Sequence, residues 1–123
     1  MSLKIINVVN ANKPEGEYVV LKTEEDLNTA GYAVVDRTFD MNGKVSNEFR
    51  HIFVFPNLKI KNGDYIFLHT AKGTYSSNSN RAGTTTHHLY WGSGDCVWND
   101  NGGDVASLIS YKLVNSVKVP PVA

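Results

Sequence analysis

A single cysteine, Cys96, stands in the 123-residue chain, so neither an intrachain disulfide nor a multi-cysteine zinc site can form. No sign of charge dominates. Twelve Lys and Arg balance twelve Asp and Glu, which argues against a generally basic nucleic-acid binder. Long apolar runs are lacking too. The longest are about five residues, far below a membrane span of ~20 residues, so membrane insertion is not expected. Met1-Ser2-Leu3 is not a basic segment leading into an apolar stretch, and no signal peptide is expected in this chain. Localisation is left open, since a removed leader leaves no trace. There is no Gly-x-Ser-x-Gly elbow and no phosphate-cradling glycine loop opening a helix.

What the chain does have is β-forming side chains. Val 14, Ile 6 and Thr 8 make 28 β-branched residues, with 13 aromatics beside them; both kinds fit a pleated, half-buried surface. Thirteen Asn and ten Gly supply turns. The strands expected from this pattern are Leu3–Val9, Glu17–Lys22, Gly31–Asp36, Phe49–Phe55, Tyr65–Thr70, His88–Trp91, Cys96–Trp98, Asp104–Ser110 and Tyr111–Val119. Asn42-Gly43 is the strongest hairpin signal, and it pairs Tyr32–Asp40 with Phe49–Phe55. Asn62-Gly63-Asp64 and the run Asn99 to Gly103 are turns. Thr23-Glu24-Glu25-Asp26-Leu27 suits one helical turn with a capping start. Pro120-Pro121 stops the last strand. About eight short strands separated by turns, with no repeat or linker, predict one all-β domain over 1–123, with its core over about 4–119, built as an antiparallel β-sandwich or small barrel.

Several segments together carry a resemblance. They are Glu17-Tyr18-Val19-Val20-Leu21, Leu27, Gly31-Tyr32, Phe53-Val54-Phe55-Pro56, Asn62-Gly63-Asp64, and Val97-Trp98-Asn99-Asp100-Asn101-Gly102-Gly103-Asp104-Val105-Ala106-Ser107-Leu108. In that order they resemble the lamin-tail domain, which occurs in nuclear lamins and in many bacterial proteins. The resemblance implies an immunoglobulin-like β-sandwich. It also implies a non-enzymatic module for attaching protein partners, with DNA binding known in some members and with no cofactor. Gly31-Tyr32 stands where the family has Gly-Trp. The residues of the last segment suit a structural corner. Trp98 can bury a large ring whose N–H wants a partner. Asn99 bonds nearby backbone, Gly102 and Gly103 supply positive φ, and Asp104 accepts N–H groups across the turn.

The remaining candidates for chemistry are weaker. Asp95, Asp100 and Asp104, with Asn99 and Asn101, offer oxygens to calcium, but the spacing fails the EF-hand template and a structural turn is the better reading. His51, His69, His87 and His88 have no zinc spacing with Cys96, and adjacent His87 and His88 on a strand face opposite ways. Cys96 reads as a small buried hydrophobe. No metal is expected, and no catalytic residue is assigned. Charge is unevenly spread: residues 1–48 sum to −3, 49–94 to +4 and 95–123 to −1. The basic middle holds residues 71–86, which have Tyr75 as their only large apolar side chain and read as a long exposed loop. Lys72, Tyr75, Arg81, His87, His88 and Trp91 over 71–91 are therefore the candidate binding residues. They suit nucleic acid or an acidic sugar as the alternative to a protein partner.

Overall fold

A computed structural model of the chain describes residues 2–39, 45–98 and 104–122, with side chains on the long middle strands described up to Arg37 and from His51. The described residues contain ten strands and no α-helix. These are β1 (Leu3–Val9), β2 (Tyr18–Thr23), β3 (Leu27–Asn28), β4 (Tyr32–Phe39), β5 (Val45–Val54), β6 (Lys59–Ile60), β7 (Tyr65–His69), β8 (Ser76–Ser79), β9 (Thr85–Tyr90) and β10 (Asp104–Ser110). One 3-10 turn, Pro14–Gly16, precedes β2. Proline at its start suits the fixed φ and the missing N–H.

The strands form a five-stranded sheet in the order β1-β2-β7-β9-β8, a three-stranded sheet β10-β4-β5 and a small pair β3-β6. All pairings are antiparallel except β7 with β9, which run parallel. The larger sheet is thus mixed and not antiparallel throughout. The reason is local: β8 lies between β7 and β9 in sequence but pairs on the outer side of β9, so β9 enters beside β7 in the same direction.

One apolar cluster draws on both larger sheets. Leu3, Val19, Leu21, Ile66, Leu68 and Leu89 come from the inward face of the five-stranded sheet, and Val34 from β4; Phe55, Ile60, Val97 and Trp98 complete it. Alternation along each strand sends every second residue inward. On β7 the burial runs half-buried, buried, half-buried, buried, half-buried from Tyr65 to His69.

Several expectations need correction. Residues 71–86 are not one long loop, because Ser76–Ser79 pair with Thr85–His88 as an edge hairpin. Ser and Asn give no hydrophobic signal for a strand, but the backbone bonds of an edge strand need none. Cys96–Trp98 is bent chain and not a strand, since the Glu17 carboxylate takes its N–H groups. Thr23–Leu27 makes no helical turn. There the Thr23 hydroxyl donates to the Glu25 carbonyl at 2.7 Å, and the chain passes into β3. Tyr111–Val119 is extended, exposed and unpaired. β4 and β5 pair as the Asn42-Gly43 signal requires, while Asn42 and Gly43 themselves lie outside the described residues.

Candidate functional site

The outward face of the five-stranded sheet is aromatic. Register places Tyr18, Val20 and Lys22 of β2 beside His69, Phe67 and Tyr65 of β7. Those three in turn lie beside Tyr90, His88 and Thr86 of β9. Because strand side chains alternate, the same register that buries Leu21, Ile66 and Leu68 must turn these rings outward. All six rings are half-buried. They pack on one another: Tyr18 stacks on Phe67 at 5.4 Å, His69 on His88 at 5.2 Å and His69 on Tyr90 at 4.8 Å, with ring planes within 21°. Lys22 lies over the Tyr65 ring at 5.5 Å.

A polar chain crosses this face. His69 Nε2 and His88 Nδ1 share a hydrogen bond of 2.9 Å, and His88 Nε2 donates to Asn78 Oδ1 at 2.9 Å. The amide oxygen of Asn78 can only accept. His88 therefore carries its proton on Nε2, and His69 donates from Nε2 to His88 Nδ1. Burial lowers the pKa of His69 below its ordinary 6.5, with the neighbouring His88 adding to the effect. No carboxylate stands among the outward positions of β2, β7, β8 and β9. Gly73 passes so close over Tyr90 that a Cβ there would meet the ring at 2.3 Å.

The six expected binding residues do not form one cluster. His88 belongs to the aromatic face. His87 points the other way and is buried, as alternation requires. Its Nε2 donates to Asp64 Oδ2 at 2.9 Å, and its Nδ1 accepts from the Tyr75 hydroxyl at 2.8 Å. Burial pushes the Asp64 carboxyl up, but the N–H groups of Lys61 and Thr85 and the His87 ring outweigh it and hold the group below its ordinary value. This chain of three ties the segment before β8 to the turn before β7. Arg81 is exposed and borders a shallow depression of about 300 Å³ with Tyr65, Phe67, Asn80 and Thr86. Lys72 lies elsewhere, in a depression with Pro14, Glu15 and Ser93. Trp91 meets Phe53 and Trp98, its ring edge-on to Trp98 at 5.9 Å. It is a core wall and not a surface anchor.

Of the expected corner residues, Trp98 and Asp104 are among those described. Trp98 is buried, and its indole N–H has no partner among the described residues. The fully buried Glu17 holds this corner: Val97 N–H donates to its Oε1 at 2.8 Å and Trp98 N–H to its Oε2 at 3.2 Å. Sequence reasoning placed Glu17 at the start of a strand and in the first segment of the family resemblance, with no role for its carboxylate. No spacing could show that it reaches a backbone 80 residues away. Asp104 begins β10, while Asn99, Asp100, Asn101, Gly102 and Gly103 lie outside the described residues.

Cys96 is half-buried and not fully buried as expected. Its thiol donates to the Ala11 carbonyl at 3.4 Å. Burial raises its pKa, and the Glu17 charge raises it further, which makes it a poor nucleophile at neutral pH. No three His, Cys, Asp or Glu side chains come together for a metal among the described residues. No helix among them is long and apolar enough to cross a membrane. No protein-family model matches this chain, and no curated protein does.

Proposed function

We propose that the protein is a non-enzymatic attachment or adaptor module, an immunoglobulin-like β-sandwich of the lamin-tail kind, and that it grips a protein partner through the aromatic face of β2, β7 and β9. The carrying observation is the stacking of the rings upon one another. Tyr18 with Phe67, and His69 with His88 and Tyr90, occupy each other's faces. The half-buried rings bring apolar surface together with the hydroxyls of Tyr18, Tyr65 and Tyr90 on this face. Such a surface is apolar with polar tips, the make-up of protein contact patches rich in Tyr.

The nucleic-acid or carbohydrate reading keeps one supporting observation, the cations Lys22 and Arg81 bordering rings on a face without carboxylates. Base stacking needs free ring faces, and mutual stacking takes up a face of each of these five rings. The two readings separate in one experiment. A photo-crosslinking amino acid at Phe67 should give one discrete protein adduct in an extract of the source organism, and the same group at Ser77 should not. A labelled oligothymidine should show no binding at low salt. Salt-sensitive oligonucleotide binding, with no adduct from Phe67, would overturn the protein-attachment reading in favour of the alternative.

A further inference from the structure

The segment after β10 is built like a strand and has nothing to pair with. Tyr111, Leu113, Val117 and Val119 recur at every second position around Asn115, with Lys112, Val114, Ser116 and Lys118 between them, and Pro120-Pro121 ends the run. Leu113, Val114, Val117 and Val119 are 74%, 93%, 80% and 83% exposed. A hydrogen bond from Tyr111 N–H to the Gly31 carbonyl at 2.8 Å anchors its start. Beyond that, residues 112–122 make no backbone hydrogen bond among the described residues. Four large apolar side chains in water, on a backbone without its ladder, are a surface kept for a partner.

The same chain carries a matching acceptor. β5 is an outer strand of the three-stranded sheet, with no strand beyond it among the described residues. On the sheet face away from Val34, Ile52 and Val54 are 50% and 51% exposed, opposite the buried Val35 and Ala33. Ile109, Val105 and Ser107 of β10 share that face. That face carries apolar side chains beside Arg37 and Ser107, buried at its centre on Val35 and Ala33 and left half in water at its β5 edge on Ile52 and Val54.

In its own molecule the segment does not return to this edge. It leaves from Ser110, opposite Tyr32, on the far side of β4 from β5. No turn interrupts 111–122, and nine extended residues carry the chain ~30 Å onward. We propose that residues 111–119 pair as an added strand on the free edge of β5 in a second copy of the chain, which returns its own segment. The exchange is a closed two-fold dimer, each copy giving one strand and receiving one.

Sedimentation equilibrium of the full chain, from low to high micromolar, tests this. The expected result is a dimer of twice 13.6 kDa. A double substitution, Leu113→Lys with Val117→Lys, should return it to monomer with an unchanged circular dichroism spectrum of the body, since neither side chain touches the core. Ile52→Lys should do the same from the acceptor side. A monomer at every concentration overturns the proposal, as does a dimer that survives the double substitution. Species larger than two copies overturn the closed exchange. Loss of the dimer by the segment variant but not by Ile52→Lys overturns β5 as the acceptor. The contact is separate from the aromatic face, so either result leaves the attachment reading untouched.

Discussion

Single residues decide the stability of the Trp98 corner. Glu17 is fully buried and accepts from two backbone N–H groups. Its removal leaves both donors stranded, at about 1–3 kcal/mol each. Glu17→Ala should therefore cost about 3 kcal/mol in urea unfolding, and a loss under about 1 kcal/mol would mean that water replaces the carboxylate. Trp98→Ala should cost about 3–5 kcal/mol, as for any large buried ring. His69 acts through pH. Its folded pKa lies below the ordinary 6.5 because burial, helped by His88, disfavours the charged ring. The unfolded chain then binds the proton more readily, so the stability tied to neutral His69 is complete above pH 6.5 and declines as pH falls toward its folded pKa. Urea unfolding at pH 7 and pH 5 should show a smaller acid loss for His69→Phe than for the wild type. Equal losses would show that His69 is not the group responsible.

At the scale of elements, the β8–β9 hairpin shows how little hydrophobicity an edge strand requires. Every β8 side chain is exposed, and the strand is held by its ladder to β9 and by tethers from its flanks. The Tyr75 hydroxyl on His87 is one tether, and Asn80, which accepts from Ala82, Thr84 N–H and the Thr84 hydroxyl, is the other. Loss of the first leaves the buried His87 Nδ1 without a donor. Tyr75→Phe should thus destabilise by about 1 kcal/mol, measured by thermal or urea unfolding. Arg81→Ala should change nothing measurable, since its side chain is exposed. Identical effects of the two would mean that the Tyr75–His87 bond contributes no stability. The short Ser and Asn strand also protects the sheet, because an exposed edge without apolar side chains is a poor template for aggregation.

Across the described residues, all three β-sheets contribute to one apolar cluster, and no metal-ligating group of three comes together. The protein should accordingly melt at the same temperature with and without EDTA. A fall of many degrees would mean that the acidic turn from Asp95 to Asp104 holds calcium and that the fold depends on it. Two apolar surfaces remain outside at this scale: the half-buried ring face of the larger sheet, and Ile52 and Val54 at the edge of the smaller one.

Much of the architecture was legible residue by residue. β1 and β10 run as the alternation and turn signals require, Leu3–Val9 and Asp104–Ser110, because a local pattern of β-branched residues between turns is enough to define a strand. Asn62-Gly63-Asp64 is a turn for an equally local reason: Gly63 has φ of 91°, and a Cβ there would strike the Thr84 side chain at 2.8 Å. The opposite facing of His87 and His88 also follows from strand geometry alone. What only the tertiary structure decided was which strand lies next to which. The parallel placement of β9 beside β7 gathers rings from Tyr18 to Tyr90 onto one face, although no strand holds more than three of the six. The reach of Glu17 to Val97 and Trp98 has the same origin. So does the state of residues 112–119, which stay out of every sheet among the described residues. Side-chain alternation is set by each strand's own backbone, whereas pairing is set by the whole chain's search for buried apolar area and satisfied hydrogen bonds.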